Sequence, residues 1–239
     1  MNLDEIKGFW TRLGDKDPMW AILNDPACRQ VPWTAEEFFE TGRSAVRQML
    51  QDFCLGRAKA LDFGCGIGRL TQALAEHFES VDGVDISSSM IANAEKLNRF
   101  PNRVVYHLNT RNDLNRFASG QYDFVGSEIV LQHMPARLQR NYIAEFLRVL
   151  KPGGVAHFQA IHACSWRKWV PDLATDLYRR LKYKNRPAPH IPLYGIPVGH
   201  VRAIIQRAGG AIVKYECAPY TSRPDLWRSD NFWVRKGEA

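Results

Sequence analysis

The chain has 239 residues, 45% of them hydrophobic and 24% charged, with a formal net charge of +7. This is the profile of a globular protein of one domain with room for an insertion, and no run approaches the ~18 apolar residues of a membrane span. The opening Met-Asn-Leu-Asp-Glu-Ile-Lys-Gly has no apolar signal core, and the five scattered cysteines form no CxxC pair. A reduced cytoplasm is therefore expected, with neither a disulfide framework nor a zinc or other metal site.

The first forty residues are aromatic: Phe9, Trp10, Trp20, Trp33, Phe38 and Phe39. Thr34 followed by Glu37 has the pattern of a capping box opening a short helix. Val46, Met49, Leu50 and Phe53 then give the apolar face of a helix before the first strand.

Residues 60–63, Ala-Leu-Asp-Phe, read as a buried strand ending in Gly64, Gly66 and Gly68. Leu70, Leu74 and Phe78 follow at helical spacing. A strand, a glycine turn and a helix let a ligand press against bare backbone, because glycine tolerates positive φ and carries no Cβ. The start of the helix adds unpaired N–H groups. The spacing narrows the ligand. A dinucleotide fingerprint places its third glycine three residues after the second, and here that position is Arg69. A P-loop would require Gly-Lys-Ser/Thr, which is absent. Val81 to Val84 read as the next strand and end at Asp85, where an acid can accept from both hydroxyls of a ribose. The pattern points to a nucleoside ligand without a pyrophosphate.

Strands are predicted near 58–63, 81–86, 103–108, 122–126 and 154–160, and helices near 69–78, 88–97 and 136–150. The last helix carries the stripe Leu138, Tyr142, Phe146 and Leu150. Such alternation predicts a parallel sheet with helices on both faces. Residues 163–196 break it, with Trp166, Trp169 and four prolines, too long a stretch for an ordinary loop. A small helical insertion and a proline-rich connection over the C-terminal edge of the sheet are expected there. Residues 161–186 carry a net charge of +5, which reads either as a solvated face or as attraction to an acidic substrate, a nucleic acid or a membrane surface. A helix near 198–208, stopped by Gly209-Gly210, precedes strands near 211–217 and 231–235.

Four segments in order give the chain a family resemblance. They are Leu61 to Gly68, Val84-Asp85-Ile86-Ser87 with Met90, Tyr122 to Val125 leading to Val130 to Pro135, and Leu147 to Gly154. Together they resemble the class I S-adenosylmethionine-dependent methyltransferases, strongly over roughly residues 45 to 160. The resemblance implies a doubly wound, mostly parallel seven-stranded sheet with the last strand antiparallel, the Rossmann-like methyltransferase fold. It implies an N-terminal helical cap (1–44), a cofactor-binding core (45–162), a substrate lid (163–196) and a C-terminal helix and strands (197–239).

For S-adenosyl-L-methionine the resemblance implies contacts from Gly64, Cys65, Gly66, Gly68, Asp85, Ile86 and Met90, with Glu128 shaping the methionine end. Family members often place an acid after the third strand to hold the adenine amino group. This chain departs from that with Thr110, so backbone groups of Thr110 and Arg111, or the Asn112 side chain, are expected to substitute. N-terminal segments of the family often close over the site, which makes Trp20, Trp33 and Arg43 candidate walls. Trp166, Trp169 and His162 are candidate substrate contacts, and Trp166 and Trp169 with the nearby Arg167 and Lys168 favour an anionic or aromatic acceptor. His133, just past strand four, is the candidate base, with His162 and His190 weaker ones. Gln132, His157 and Gln159 can shape the same pocket.

Methyl transfer from a sulfonium needs alignment and dryness more than a catalytic triad, and a base only when the acceptor is a hydroxyl or a protonated amine. A methyltransferase acting on an oxygen or nitrogen of a small molecule is the leading expectation. The alternatives are an RNA or protein methyltransferase using the basic insertion, and a non-catalytic binder of the cofactor. DNA is not expected as a partner, because Ser127 to His133 lacks the Asn/Asp-Pro-Pro-Tyr/Phe of amino-methylating DNA enzymes.

Overall fold

The computed structural model describes residues 2–23, 33–164, 192–219 and 226–238. Among the described residues three helices precede the sheet: α1 (Leu3–Lys16), α2 (Pro18–Ile22) and α3 (Ala35–Leu50). Asn2 and Glu5 form a capping box that starts α1, and Thr34 and Glu37 form the expected one at α3. Each cap contributes about 1 kcal/mol by satisfying N–H groups that a helix start leaves open. The predicted short helix at Thr34 and the apolar face at Val46 to Leu50 belong to one element, so α3 runs unbroken through the expected boundary at residues 44 and 45. Helix α1 was not legible as a helix. Its buried face is only Ile6, Leu13 and Gly14.

The sheet has seven strands: β1 (Lys59–Phe63), β2 (Ser80–Asp85), β3 (Val104–Leu108), β4 (Tyr122–Ser127), β5 (Leu150–Ala163), β6 (Gly210–Pro219) and β7 (Trp227–Lys236). Their order is β3-β2-β1-β4-β5-β7-β6, with β7 antiparallel to both neighbours and the first five strands parallel. This is the expected seven-stranded arrangement. Four further α-helices lie among the described residues: α4 (Arg69–Leu74), α5 (Ser88–Lys96), α6 (Ala136–Val149) and α7 (Val198–Arg207). Helix α4 stops four residues short of the predicted end, but Phe78 still reaches the core through a turn in which its N–H bonds Leu74 O.

The strands fit their burial. β4 is buried along its whole length between two layers of helices, its polar Asp123 and Ser127 included. One core, around Phe63, Tyr142, Phe146, Phe158 and Phe232, fills the side of α6 and α7. A second, around Val46, Leu74, Phe78, Phe124 and Trp233, fills the side of α3 and α4. A third small core joins α1, α2 and α3 through Leu13, Ala21, Phe38 and Phe39, to the loop residue Ile67 and to Met90 of α5.

β5 is longer than predicted. Phe158 pairs with Ser127, the last residue of β4, and β5 continues to Ala163, roughly 16 Å further. β7 pairs with it to the end, Ala163 opposite Trp227. The pair stands above the rim of the sheet. Of the expected insertion, residues 165–191, with Trp166, Trp169 and the basic cluster, lie outside the described residues. Its last part crosses the rim: Tyr194 N–H bonds Gln132 O and Ile196 N–H bonds Ile161 O, both at 2.8 Å.

Candidate cofactor and acceptor site

The loop after β1 is fastened to the end of β2. Gly64 and Cys65 N–H groups bond Val84 O, and Gly68 N–H bonds Cys65 O. Gly64, Gly66 and Gly68 all have positive φ, at 78°, 53° and 90°. A Cβ on Gly66 would come within 2.5 Å of Ile22 Cδ1. The glycine thus serves two purposes, a turn that other residues resist and a close approach of α2 to the loop. Below the loop, Thr71 Oγ1 donates to Asp62 Oδ2 at 2.6 Å, tying α4 to β1. Burial raises the Asp62 carboxyl to about 7 against that bond.

Asp85 ends β2 facing the loop. Its carboxylate accepts from Gly66 N–H at 2.9 Å and from Ser87 N–H at 2.8 Å. Burial raises its pKa and the N–H groups of Ser87, Gly66 and Ile86 oppose the rise. Each oxygen keeps lone-pair capacity for a ligand hydroxyl. Beside it a cleft runs between the C-terminal ends of β1, β2 and β4. Phe63, Val84, Ile86, Met90, Val130, Met134, Leu138 and Tyr142 give it an apolar wall, and Asn109, Glu128 and His133 add polar groups. Its roof is Leu3, Ile6 and Trp10 of α1 with Ala21 and Ile22 of α2.

The expected residues divide. Gly64, Gly66, Asp85, Ile86, Met90, Glu128 and His133 line the cleft. Gly68 caps α4 at the end of the loop, and Cys65 is buried beneath it. Thr110 and Arg111 do not line it. Both are exposed, and Arg111 pairs with Asp113 at 2.9 Å. Asn109 stands in the cleft instead, and Tyr142 O–H bonds Arg111 O behind it. Arg43 pairs with Glu36 and Glu40 on the surface of α3. Trp20 and Trp33 pack with the third core, while Trp10 is the aromatic residue that reaches the cleft. The signal for Trp10 was present in the aromatic N-terminus, but only the helical phase of α1 selects it.

His133 sits in a short 3-10 turn (Leu131–His133) against the edge of Trp10, ring centroids 5.1 Å apart. Its Nδ1 lies 3.2 Å from Pro192 O and its Nε2 3.2 Å from Gln132 Nε2. A carbonyl only accepts, so Nδ1 carries the proton and Nε2 accepts from the amide. Burial lowers the ring's pKa to about 4, so it is neutral at pH 7. His162 lies on the raised part of β5, its Nδ1 hydrogen-bonded to the buried Asp230 carboxylate, which also accepts from Tyr215 O–H at 2.8 Å.

Glu128 is the pivot between the cleft and the rest of the sheet. It receives Arg69 Nη2 at 2.7 Å, and Arg69 is itself buried. Ile129, the next residue, has φ of 60°. For a β-branched residue that is an outlier costing on the order of 1–3 kcal/mol. Gln159 Oε1 holds it there by accepting from Ile129 N–H at 3.0 Å.

The glycine loop, the acid after the second strand and the sheet order define the class I methyltransferase architecture, and the cleft fits its cofactor: a turn without side chains, an acid facing it and a flat apolar slot. Residues 60–154 match the family model described as a methyltransferase domain. Over these residues the chain is similar to the methyltransferase domain of that family. It is 32% identical over 109 residues to the ubiquinone biosynthesis O-methyltransferase of Methylococcus capsulatus, covering 45% of each chain. It is 31% identical over 140 residues to the ribosomal RNA small subunit methyltransferase C of Alcanivorax borkumensis, covering 56% of this chain and 42% of that one. The chain spans about half the length of the curated relatives it matches. Its fold is similar to that of magnesium protoporphyrin IX methyltransferase from Synechocystis PCC 6803, solved with S-adenosylhomocysteine. That match has a TM-score of 0.65 at 18% identity and covers 99% of this chain and 100% of that one.

Proposed function

We propose that the protein transfers a methyl group from S-adenosylmethionine to an oxygen or nitrogen of a small molecule. The observation that carries this reading is the Asp85 carboxylate, fixed by Gly66 and Ser87 N–H groups at the mouth of an apolar cleft. Bound there, S-adenosylmethionine supplies an already activated methyl group. Asp85 holds the ribose. Ile86, Met90 and Tyr142 receive the adenine, and Glu128 and Arg69 border the methionine end. Leu3, Ile6 and Trp10 exclude water from the line of displacement, which strengthens the alignment the reaction depends on.

His133 faces this end of the cleft as a neutral ring. We propose that it takes the acceptor's proton at Nε2, giving up the hydrogen bond from Gln132. A group of pKa about 4 is a weak base, so it acts late, when the forming bond has made a hydroxyl acceptor strongly acidic. Such a base adds little for an acceptor that arrives as a carboxylate or thiolate.

The roof formed by α1 and α2 favours a small acceptor over a polymer, and the name of the Methylococcus relative points the same way. The RNA reading keeps one support, the name of the Alcanivorax relative together with the basic residues 161–186. A tritiated methyl donor incubated with fractionated cell extract separates the readings. Label in the low-molecular-weight fraction is expected. Label confined to RNA or protein would reject the small-molecule reading, and label nowhere would favour a non-catalytic binder.

A further inference from the structure

A second cavity lies on the other side of Glu128, between α3 and the wing of the sheet made by β5, β7 and β6. Its volume is about 410 Å³, against roughly 10–15 Å³ for a single water, and within the range of ligand pockets. Two rungs of the sheet furnish its wall. In the first, His157 pairs with Trp233 and Trp233 with Lys214. In the second, Asn231 pairs with Glu216. Glu128 closes the upper end and lines both cavities.

The wall has a definite chemical preference. Its cations are already engaged: Lys214 Nζ bonds Asp52 at 2.6 Å and Glu216 at 3.3 Å, and Arg69 bonds Glu128. His157 is 3% exposed, and its Nδ1 has no hydrogen-bond partner. Burial lowers its pKa to about 4, so it is neutral and can accept a hydrogen bond. Glu128 accepts from Arg69 through one oxygen, leaving the other for a donor. The Lys214 ammonium stands 4.7 Å over the Trp233 ring, so that ring face is already taken by a cation of the protein. An anion would meet two carboxylates, a neutral imidazole and an ammonium, Lys214, already paired with Asp52 and Glu216. A donor-ended molecule would meet three acceptors.

We infer that this cavity is a binding site for a small molecule with an amine end, held by Glu128, His157 and Asn231. It deepens the reading above, on which it rests for calling that molecule the acceptor: Glu128, which lines this cavity, also lines the cofactor cleft. This class departs from the anionic acceptor suggested by the residues of the insertion.

The test uses ethanolamine and glycolate, matched in size and opposite in charge, titrated into the protein saturated with S-adenosylhomocysteine. NMR of the histidine rings and indole N–H groups is the readout, with His157 assigned by the signal that His157→Gln removes. Ethanolamine should shift the His157 and Trp233 signals saturably, and glycolate should not. Asn231→Ala, or Asn231→Ser if the first variant folds poorly, should weaken ethanolamine by about threefold to tenfold, the equivalent of one hydrogen bond. Glycolate binding as tightly, shifts from neither probe, or shifts confined to other residues would overturn the inference. Calorimetry with S-adenosylhomocysteine on the same sample separates the two failures. Loss of that binding rejects the cofactor reading, whereas its presence without an ethanolamine shift rejects only the amine site.

Discussion

The two halves of the sheet are built on different rules. In β3-β2-β1-β4 the strands are five or six residues long and parallel, and the site residues lie in the turns at their ends. In β5-β7-β6 the strands run ten to fourteen residues, β7 is antiparallel, and polar side chains stand along the strands themselves. The first half presents backbone to a ligand, and its geometry follows from residues a few positions apart. The second half presents side chains brought together by pairings some seventy residues apart, such as Gln159 with Ser229.

The largest expected effect breaks the first half. Gly66→Val places a branched side chain at φ of 53° and drives its Cβ to about the position that already lies 2.5 Å from Ile22. Cofactor binding should be lost, as read by calorimetry with S-adenosylhomocysteine. Ile22→Ala in the same background should not restore it, because the backbone demand remains.

Asp85→Ala comes next. A hydrogen bond to a charged group contributes about 1.5–3 kcal/mol, so affinity should fall at least roughly tenfold. Parent affinity should also weaken on acidification. Burial raises the Asp85 pKa, and the ribose hydroxyls bind the ionised form better, so affinity declines as pH falls through the raised value. An Asp85→Asn variant should lose most of that pH dependence. Equal affinity in a folded Asp85→Ala protein would remove the acid from the site.

The second half should respond through stability rather than cofactor affinity. His157 has its pKa lowered to about 4 by burial. The folded state therefore resists its protonation, and the contribution is fully present above the unfolded value of about 6.5 and lost as pH falls toward 4. Denaturant titrations of the parent and His157→Gln at pH 7 and pH 5 should show the difference between them narrowing at pH 5. A constant difference would mean that the ring is not kept neutral by the fold.

The smallest expected effect lies at the roof. Trp10→Ala removes a wall of the cleft and the edge contact with His133. Methyl transfer should slow several-fold while S-adenosylhomocysteine affinity changes less, because Asp85 and the glycine loop remain. A larger loss of affinity than of rate would place Trp10 on the cofactor instead.

The same division explains what was legible in the sequence. The glycine run, Asp85 and the helical stripe are short-range patterns: Gly64, Gly66 and Asp85 line one cleft and Leu138, Tyr142 and Phe146 lie in α6, while Leu150 opens β5 instead. Asn109 lines the cleft and the expected Thr110, one residue on, is exposed, because a strand end is uncertain by about that much without its pairings. Arg43 is an arginine on the right helix but on the face where Glu36 and Glu40 pair with it. The Asp230–His162–Tyr215 cluster, the Glu128–Arg69 pair and the His157 cavity come from residues distant in the chain. Only the antiparallel register of β7 brings His162 and His157 to their neighbours, and no local spacing announces that register.

The central claim is that the cleft at Gly66 and Asp85 is made for a nucleoside with a sulfur-linked tail and no pyrophosphate. Isothermal titration of the purified protein with S-adenosylhomocysteine and, separately, with NAD tests it most directly. Saturable one-to-one binding of S-adenosylhomocysteine, absent in Gly66→Val and weakened in Asp85→Ala, with no heat from NAD, is the expected result. Saturable NAD binding without S-adenosylhomocysteine binding would contradict it.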